Sequence, residues 1–144
     1  VTDVETGSLV SYPHPYRVIE VSGDKMSVTT HNLRSIKSLA AQGEDLWQKS
    51  QKFARLSVAK MAEGYLPQNT PSAMRDTIVK VVSDAYLYHL AGDERPSEDF
   101  VKEKLRLAEQ VSAVAPNMAP MLDAIVTSLS TDLAPSDNQA VINY

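Results

Sequence analysis

The hydrophobic period of this chain changes once, at Asn32, and that change constrains the fold more than any other feature. Before Asn32 apolar and polar residues alternate; beyond it apolar residues recur at three- and four-residue spacing. Strands followed by helices predict an α+β chain, a short β-hairpin region and then a mostly helical bundle of about four helices. Arg17-Val18-Ile19-Glu20-Val21, Ser22-Gly23-Asp24 and Lys25-Met26-Ser27-Val28-Thr29-Thr30 read as strand, turn and strand, with Met26 and Val28 between polar neighbours. Ser8 to Val10 reads as a further short strand. Tyr12-Pro13-His14-Pro15 separates it from the hairpin as a loop or strand edge, because neither proline can donate to a ladder. An isolated hairpin is marginal in water, so these strands need another sheet or a helix to lie on.

After Asn32, Leu33, Ile36, Leu39 and Ala40 begin a helical face, which Leu46, Trp47, Phe53, Ala54, Val58 and Met61 continue. This predicts one long helix, broken or kinked at Gly43 and ended by Gly64, with Trp47 and Phe53 in the core. Thr70-Pro71 supplies an N-cap and a first-turn proline to a second helix, striped by Met74, Ile78, Val81, Val82, Ala85 and Tyr86 and closed by Gly92. Ser97, with Glu98 and Asp99 behind it, opens a third helix with Val101, Leu105, Ala108 and Val111 inward. Met118, Met121, Leu122, Ile125 and Leu129 mark a fourth, from near Pro116-Asn117 to a stop at Pro135-Ser-Asp-Asn138. Val141-Ile142 is a small apolar anchor in a tail-like segment. The division is therefore 1–32 as hairpin region, 33–134 as bundle and 135–144 as tail, with connections short enough for antiparallel neighbours.

Composition narrows the function classes. With 144 residues the default is one domain with a real core, and 43% hydrophobic residues exclude wholesale disorder. No apolar run approaches the roughly 18 residues of a membrane span. The absence of cysteine excludes disulfides, thiolate metal sites and cysteine nucleophiles. The net charge of −4 is local: 14 bases face 14 acids up to Arg106, and only Glu109, Asp123, Asp132 and Asp137 follow. That balance argues against nucleic acid as a partner. The basic residues between Arg34 and Lys60 read as a solvated helix face, since no aromatic residues interleave with them as a phosphate-binding surface would require.

Candidate chemistry is sparse. His14, His31 and His89 are far apart in sequence and none lies in an H-E-x-x-H spacing, so no metal or cofactor site is expected within the chain. No G-x-S-x-G elbow and no glycine-rich phosphate loop occurs. Asp93-Glu94 reads as solvated loop. Tyr12-Pro-His-Pro-Tyr16 is the most distinctive segment. Tyr12, His14 and Tyr16 are candidates for a binding mouth; the plainer reading packs the tyrosines on the hairpin and exposes His14. Tyr86 and His89 share a helix face that Tyr88 does not, which favours a packed interior. Met118 and Met121 read as core filling or as a plastic partner surface.

Glu5-Thr-Gly-Ser-Leu-Val-Ser-Tyr-Pro-His-Pro-Tyr-Arg-Val-Ile-Glu20 resembles the last strands of bacterial calcineurin-like metallophosphoesterases. There a similar T-G-S-L…Y-P…Y-R stretch follows the final metal-binding G-H-x-H motif. The resemblance covers about the first 30 residues and implies that the Val21 to Thr30 hairpin is the closing edge of the family's layered α/β sandwich. The family's D-x-H, G-D-x-x-D, G-N-H-[DE] and G-H-x-H metal motifs do not occur between Val1 and Tyr144, and neither Gly23-Asp24 nor Gly92-Asp93 leads into one. A two-metal hydrolase needs carboxylates and imidazoles holding ions about 3.5–4 Å apart.

The resemblance thus implies that catalysis, with its divalent metals, belongs to an N-terminal phosphoesterase domain of the same parent chain. This chain is then a non-catalytic C-terminal accessory region, structural or modulating, with Tyr12, His14 and Tyr16 as candidate walls of the cleft. The start at Val1 and the polar run that follows are read as the trimmed interior or tail of something longer. Two alternatives stand beside this reading. One is a stand-alone helical protein–protein interaction module that docks by its acidic last or basic first helix. The other is a small-molecule-binding helical domain with a pocket lined by Tyr86, Trp47 and Met121. An extracytoplasmic location is compatible with the resemblance; oligomeric state and compartment stay open.

Overall fold

The computed structural model describes residues 5–92, 94–131 and 136–143. Strands β1 (Pro15–Ser22) and β2 (Lys25–Asn32) form the hairpin, in a register that sets Ile19 opposite Val28 and Ser22 opposite Lys25. The two-residue turn needs positive φ, which Gly23 supplies at 59°. Strand β3 (Gln139–Asn143) pairs antiparallel with the far side of β2, giving the order β1-β2-β3. The segment read as a tail is therefore a strand. The unpaired amides and carbonyls along β2 give it a partner that local sequence does not announce. Residues 8–11 are a turn and not a strand, closed by Ser11 N–H donating to the Ser8 carbonyl at 3.2 Å.

The helices are α1 (Lys37–Ala40), α2 (Leu46–Tyr65), α3 (Ser72–Ala91), α4 (Glu98–Val114) and α5 (Ala119–Ser128). The break at Gly43 separates two helices, because Asp45 starts α2 afresh by accepting the Gln48 N–H at 2.8 Å. Thr70 does not cap α3; Pro71 occupies the N-cap position and no side chain bonds there. The other end of α3 closes at Gly92 as expected, with φ 70°. The Ser97 hydroxyl accepts the Phe100 N–H at 3.2 Å and opens α4, with Glu98 and Asp99 in the first turn. Helix α5 ends at Ser128, before the stop expected at Pro135-Ser-Asp-Asn138, of which Pro135 lies outside the described residues.

Helices α2 to α5 share one core, centred on Val58, Ile78, Val81, Phe100, Val111 and Val126. The inward side of α4 is Phe100, Leu107 and Val111, while Val101 and Leu105 are exposed. Phe53, expected in the core, is 73% exposed, and Met121 also faces solvent. No strand residue belongs to the core cluster. The sheet is tied instead to the end of α3: the Asn138 side-chain amide donates to the Ala91 carbonyl at 3.3 Å, and the Thr30 N–H to the Asn138 carbonyl at 2.8 Å. A Cβ on Gly92 would stand 3.0 Å from the Asp137 Cβ, so glycine lets this junction close. The result is an α+β chain whose sheet sits outside its helical core. Among the described residues no helix is long and apolar enough to cross a membrane.

Candidate functional site

The segment Leu9–His14 turns back on itself to reach α2. Tyr12 is buried, with its ring centroid 4.9 Å from that of Trp47, and its hydroxyl accepts a hydrogen bond from the Gln51 amide at 3.3 Å. His14 adopts φ 59°, its N–H donates to the Ser11 carbonyl at 2.6 Å and its own carbonyl accepts from Leu33 N–H at 3.0 Å. This knot draws the imidazole inward to 5% exposure, which corrects the plainer reading that left it in water. The Leu9 carbonyl, 3.0 Å from Nδ1, can only accept, so Nδ1 carries a proton; Nε2 is buried without a partner. Tyr16 stays apart from this pair. It lies half-exposed on β1 and stacks on His31 across the hairpin, with centroids 5.4 Å apart.

Tyr12 and His14 together form one wall of an apolar cleft of about 650 Å³. Its floor is a single face of α2 running from Leu46 through Phe53 to Met61, positions that repeat at helical spacing. Leu39 of α1 and Tyr86 and Leu90 of α3 complete it. Among the described residues Lys49 is the one Lys, Arg, Asp or Glu side chain in the lining. Helix α2 thus carries a broad apolar arc: Ala62 turns to the core, the exposed Phe53 and Met61 turn to the cleft, and Val58 borders both. Sequence reasoning merged these into one stripe. The signal that separates them is an apolar arc wider than one interface needs. Of the pocket residues expected between helices, Tyr86 lines this cleft and Trp47 and Met121 do not.

On the other side of Tyr12 a more polar hollow of about 430 Å³ is edged by a charge network. Asp84 accepts from Arg55 and, at 3.1 Å, from Lys80, which also pairs with Glu103. Two cations and two acids pair with one another here, and Asp99 adds a third acid to the lining. Glu94 is not the solvated loop residue expected. It is buried at 2% exposure, with Oε1 3.1 Å from His89 Nδ1, and Asp93 lies outside the described residues. Tyr86 meets the same His89 edge-on at 6.4 Å, as their shared helix face implies.

The divalent ions of the family resemblance need a ligand set, and the residues present do not fit one. The Leu9 carbonyl lies against His14 Nδ1 and Glu94 against His89 Nδ1, while His31 stands apart from both on the hairpin. Among the described residues no three His, Asp or Glu side chains come together as a metal-binding group. The lining of the cleft beside α2 is suited to binding through apolar contact. Compared with known protein families, characterised proteins and solved structures, the chain matches none.

Proposed function

We propose that the chain is a non-catalytic accessory module of a calcineurin-like phosphoesterase, with its sheet continuing the layered sandwich of a separate catalytic portion. One observation carries this reading: the three-stranded sheet lies outside the helical core, and its apolar face stays open to solvent at Ile19 and Val21. Ile19 and Val21, 56% and 64% exposed, share that face with Met26, Val28, Ala140 and Ile142, while Val18 and Val141 stand among mainly polar residues on the other. Both outer strands, β1 and β3, have one unpaired side among the described residues. A free three-stranded sheet tends to hide one apolar face and wet the other. An apolar face left outside the helical core, together with open edges, suits a sheet that a partner covers and that edge pairing extends. The catalytic portion would hold the divalent metals, and the module would stabilise or modulate it.

The test is the reading frame upstream of Val1 and the polypeptide that it encodes. The reading expects the metal motifs there, and a complex of that polypeptide with this chain that Ile19→Asp combined with Val21→Asp dissolves in size-exclusion chromatography. An upstream frame without the motifs overturns it. So does Mn²⁺-dependent turnover of an aryl phosphate by this chain alone, if His14→Ala abolishes it.

A further inference from the structure

The cleft beside α2 has a shape, a lining and a single charge that together select a ligand. Its volume of about 650 Å³ lies in the usual range for small-molecule sites. Its floor is long: from Leu46 to Met61 the helix advances roughly 22 Å at 1.5 Å per residue. A compact ring system would leave most of that length empty, whereas an extended chain would cover it.

The polar atoms along the floor are already engaged within the protein. The Ser50 hydroxyl donates to the Trp47 carbonyl at 3.0 Å and the Ser57 hydroxyl to the Phe53 carbonyl at 3.0 Å. On the wall, the Leu9 carbonyl takes the His14 Nδ1 proton, which leaves Nε2 as an acceptor and not a donor. A hydrocarbon laid there therefore strands no donor, and it removes Phe53 and Met61 from water.

Lys49 breaks this apolar lining one helical turn in from the Leu46 end. Its ammonium has three donors, and its ion pair is with Glu44, a neighbouring carboxylate in the loop before α2. The pair is exposed, so a carboxylate head at this end of the groove would share the lysine with Glu44 or displace it.

We propose that this cleft binds a single-chain amphiphilic carboxylate, its hydrocarbon tail lying along α2 from Leu46 towards Met61 and its carboxylate on Lys49. The proposal rests on the cleft alone and stands or falls independently of the phosphoesterase reading. An amphipathic peptide helix is the competing occupant. With side chains it is about 10–12 Å across, and it has no call on a single cation at one end of the groove, so the long apolar floor and that lysine favour the acyl chain.

The experiment titrates the whole chain with oleate below its micelle concentration, with oleyl alcohol as the uncharged counterpart, following thermal unfolding and displacement of a fluorescent fatty acid. The expected result is one oleate per chain, a raised unfolding temperature and weaker binding of the alcohol. Phe53→Asp, at an exposed position that the core does not need, should keep the wild-type circular dichroism and weaken oleate by about tenfold or more, the equivalent of at least 1.4 kcal/mol. Lys49→Gln should weaken oleate several-fold and leave oleyl alcohol unchanged. Equal affinity for acid and alcohol, oleate binding indifferent to Phe53→Asp, many oleates per chain, or capture of an amphipathic peptide without oleate binding each overturns the proposal.

Discussion

The Arg34 guanidinium carbon lies 3.4 Å from the centroid of the Trp47 ring, and Tyr12 packs against the same indole. Trp47 is thereby removed from the core role that its spacing suggested and becomes the hinge pin between the N-terminal segment and α2. A guanidinium over an indole contributes about 0.5–1 kcal/mol at an exposed site. Arg34→Ala should cost about that much in urea unfolding and shift the emission of this sole tryptophan to longer wavelength. Arg34→Lys should recover part of both. An unchanged emission maximum in Arg34→Ala would show that the stack does not persist in solution.

Tyr12 offers a cleaner separation of packing from hydrogen bonding. Removing its buried ring in Tyr12→Ala should destabilise the chain by about 3–5 kcal/mol, the range for large aromatic truncations. Tyr12→Phe loses only the bond from Gln51 and should cost about 0.5–1.5 kcal/mol. Equilibrium denaturation of both variants tests the pair, and equal losses would mean that the hydroxyl, not the ring, fastens the loop.

Phe53 and Ile78 test which face of α2 and α3 is core. Ile78 is 2% exposed in the centre of the cluster, so Ile78→Ala should cost about 2–5 kcal/mol. Phe53→Ser, at a site open to solvent, should stay within about 0.5 kcal/mol of wild type. Thermal and urea unfolding of the two variants side by side decide the matter. A large loss at Phe53 would return that residue to the core.

The elements that sequence made legible are those whose signals are local. Gly23-Asp24 marks its own hairpin turn, Gly92 its own helix end, and Ser97 with Glu98 and Asp99 its own helix start. The α+β character follows from the change of period at Asn32, visible before any contact is known. What escaped depends on distant partners. Strand β3 has five residues and no strong pattern, and it exists because β2 has a free side more than a hundred residues earlier. His14 is buried because a turn at positive φ folds its ring under Leu9, which no periodicity encodes. Composition marks Tyr12, His14 and Tyr16 together, and of these only Tyr12 and His14 meet at the cleft. Their partners in the cleft are not marked, because Phe53 at helical spacing looks the same whether it faces a core or a groove.

Ser97 carries two duties at once. Its hydroxyl accepts the Phe100 N–H at 3.2 Å, while its own N–H donates to the Tyr88 hydroxyl at 3.0 Å. Ser97→Ala removes the cap and should cost about 1 kcal/mol; Ser97→Asp should restore it, because an aspartate accepts the same bond and suits the helix N-terminus. Denaturant midpoints give the ranking. A Ser97→Asp variant no better than alanine would count against the cap.

Asp84 holds the charge network together, and its removal should show an unusual response to salt. Its carboxylate, far less exposed than either cation, accepts from Arg55 and Lys80 together. Glu103 reaches only Lys80. Asp84→Ala therefore leaves Arg55 without its partner and sets it against Lys80, whereas Glu103→Ala leaves both cations still bonded to Asp84. The first variant should lose more stability than the second, by about 1 kcal/mol once solvent screening of the exposed cations is allowed for. Screening acts over about 30 Å at 0.01 M salt and about 3 Å at 1 M. The wild type then loses part of its attraction at high salt, while Asp84→Ala is relieved of part of its repulsion. The gap between them should narrow as salt rises. Urea unfolding, which leaves ionic strength under control, measures that gap at both salt concentrations. A gap that stays constant would assign the effect of Asp84 to packing and hydrogen bonding and not to charge.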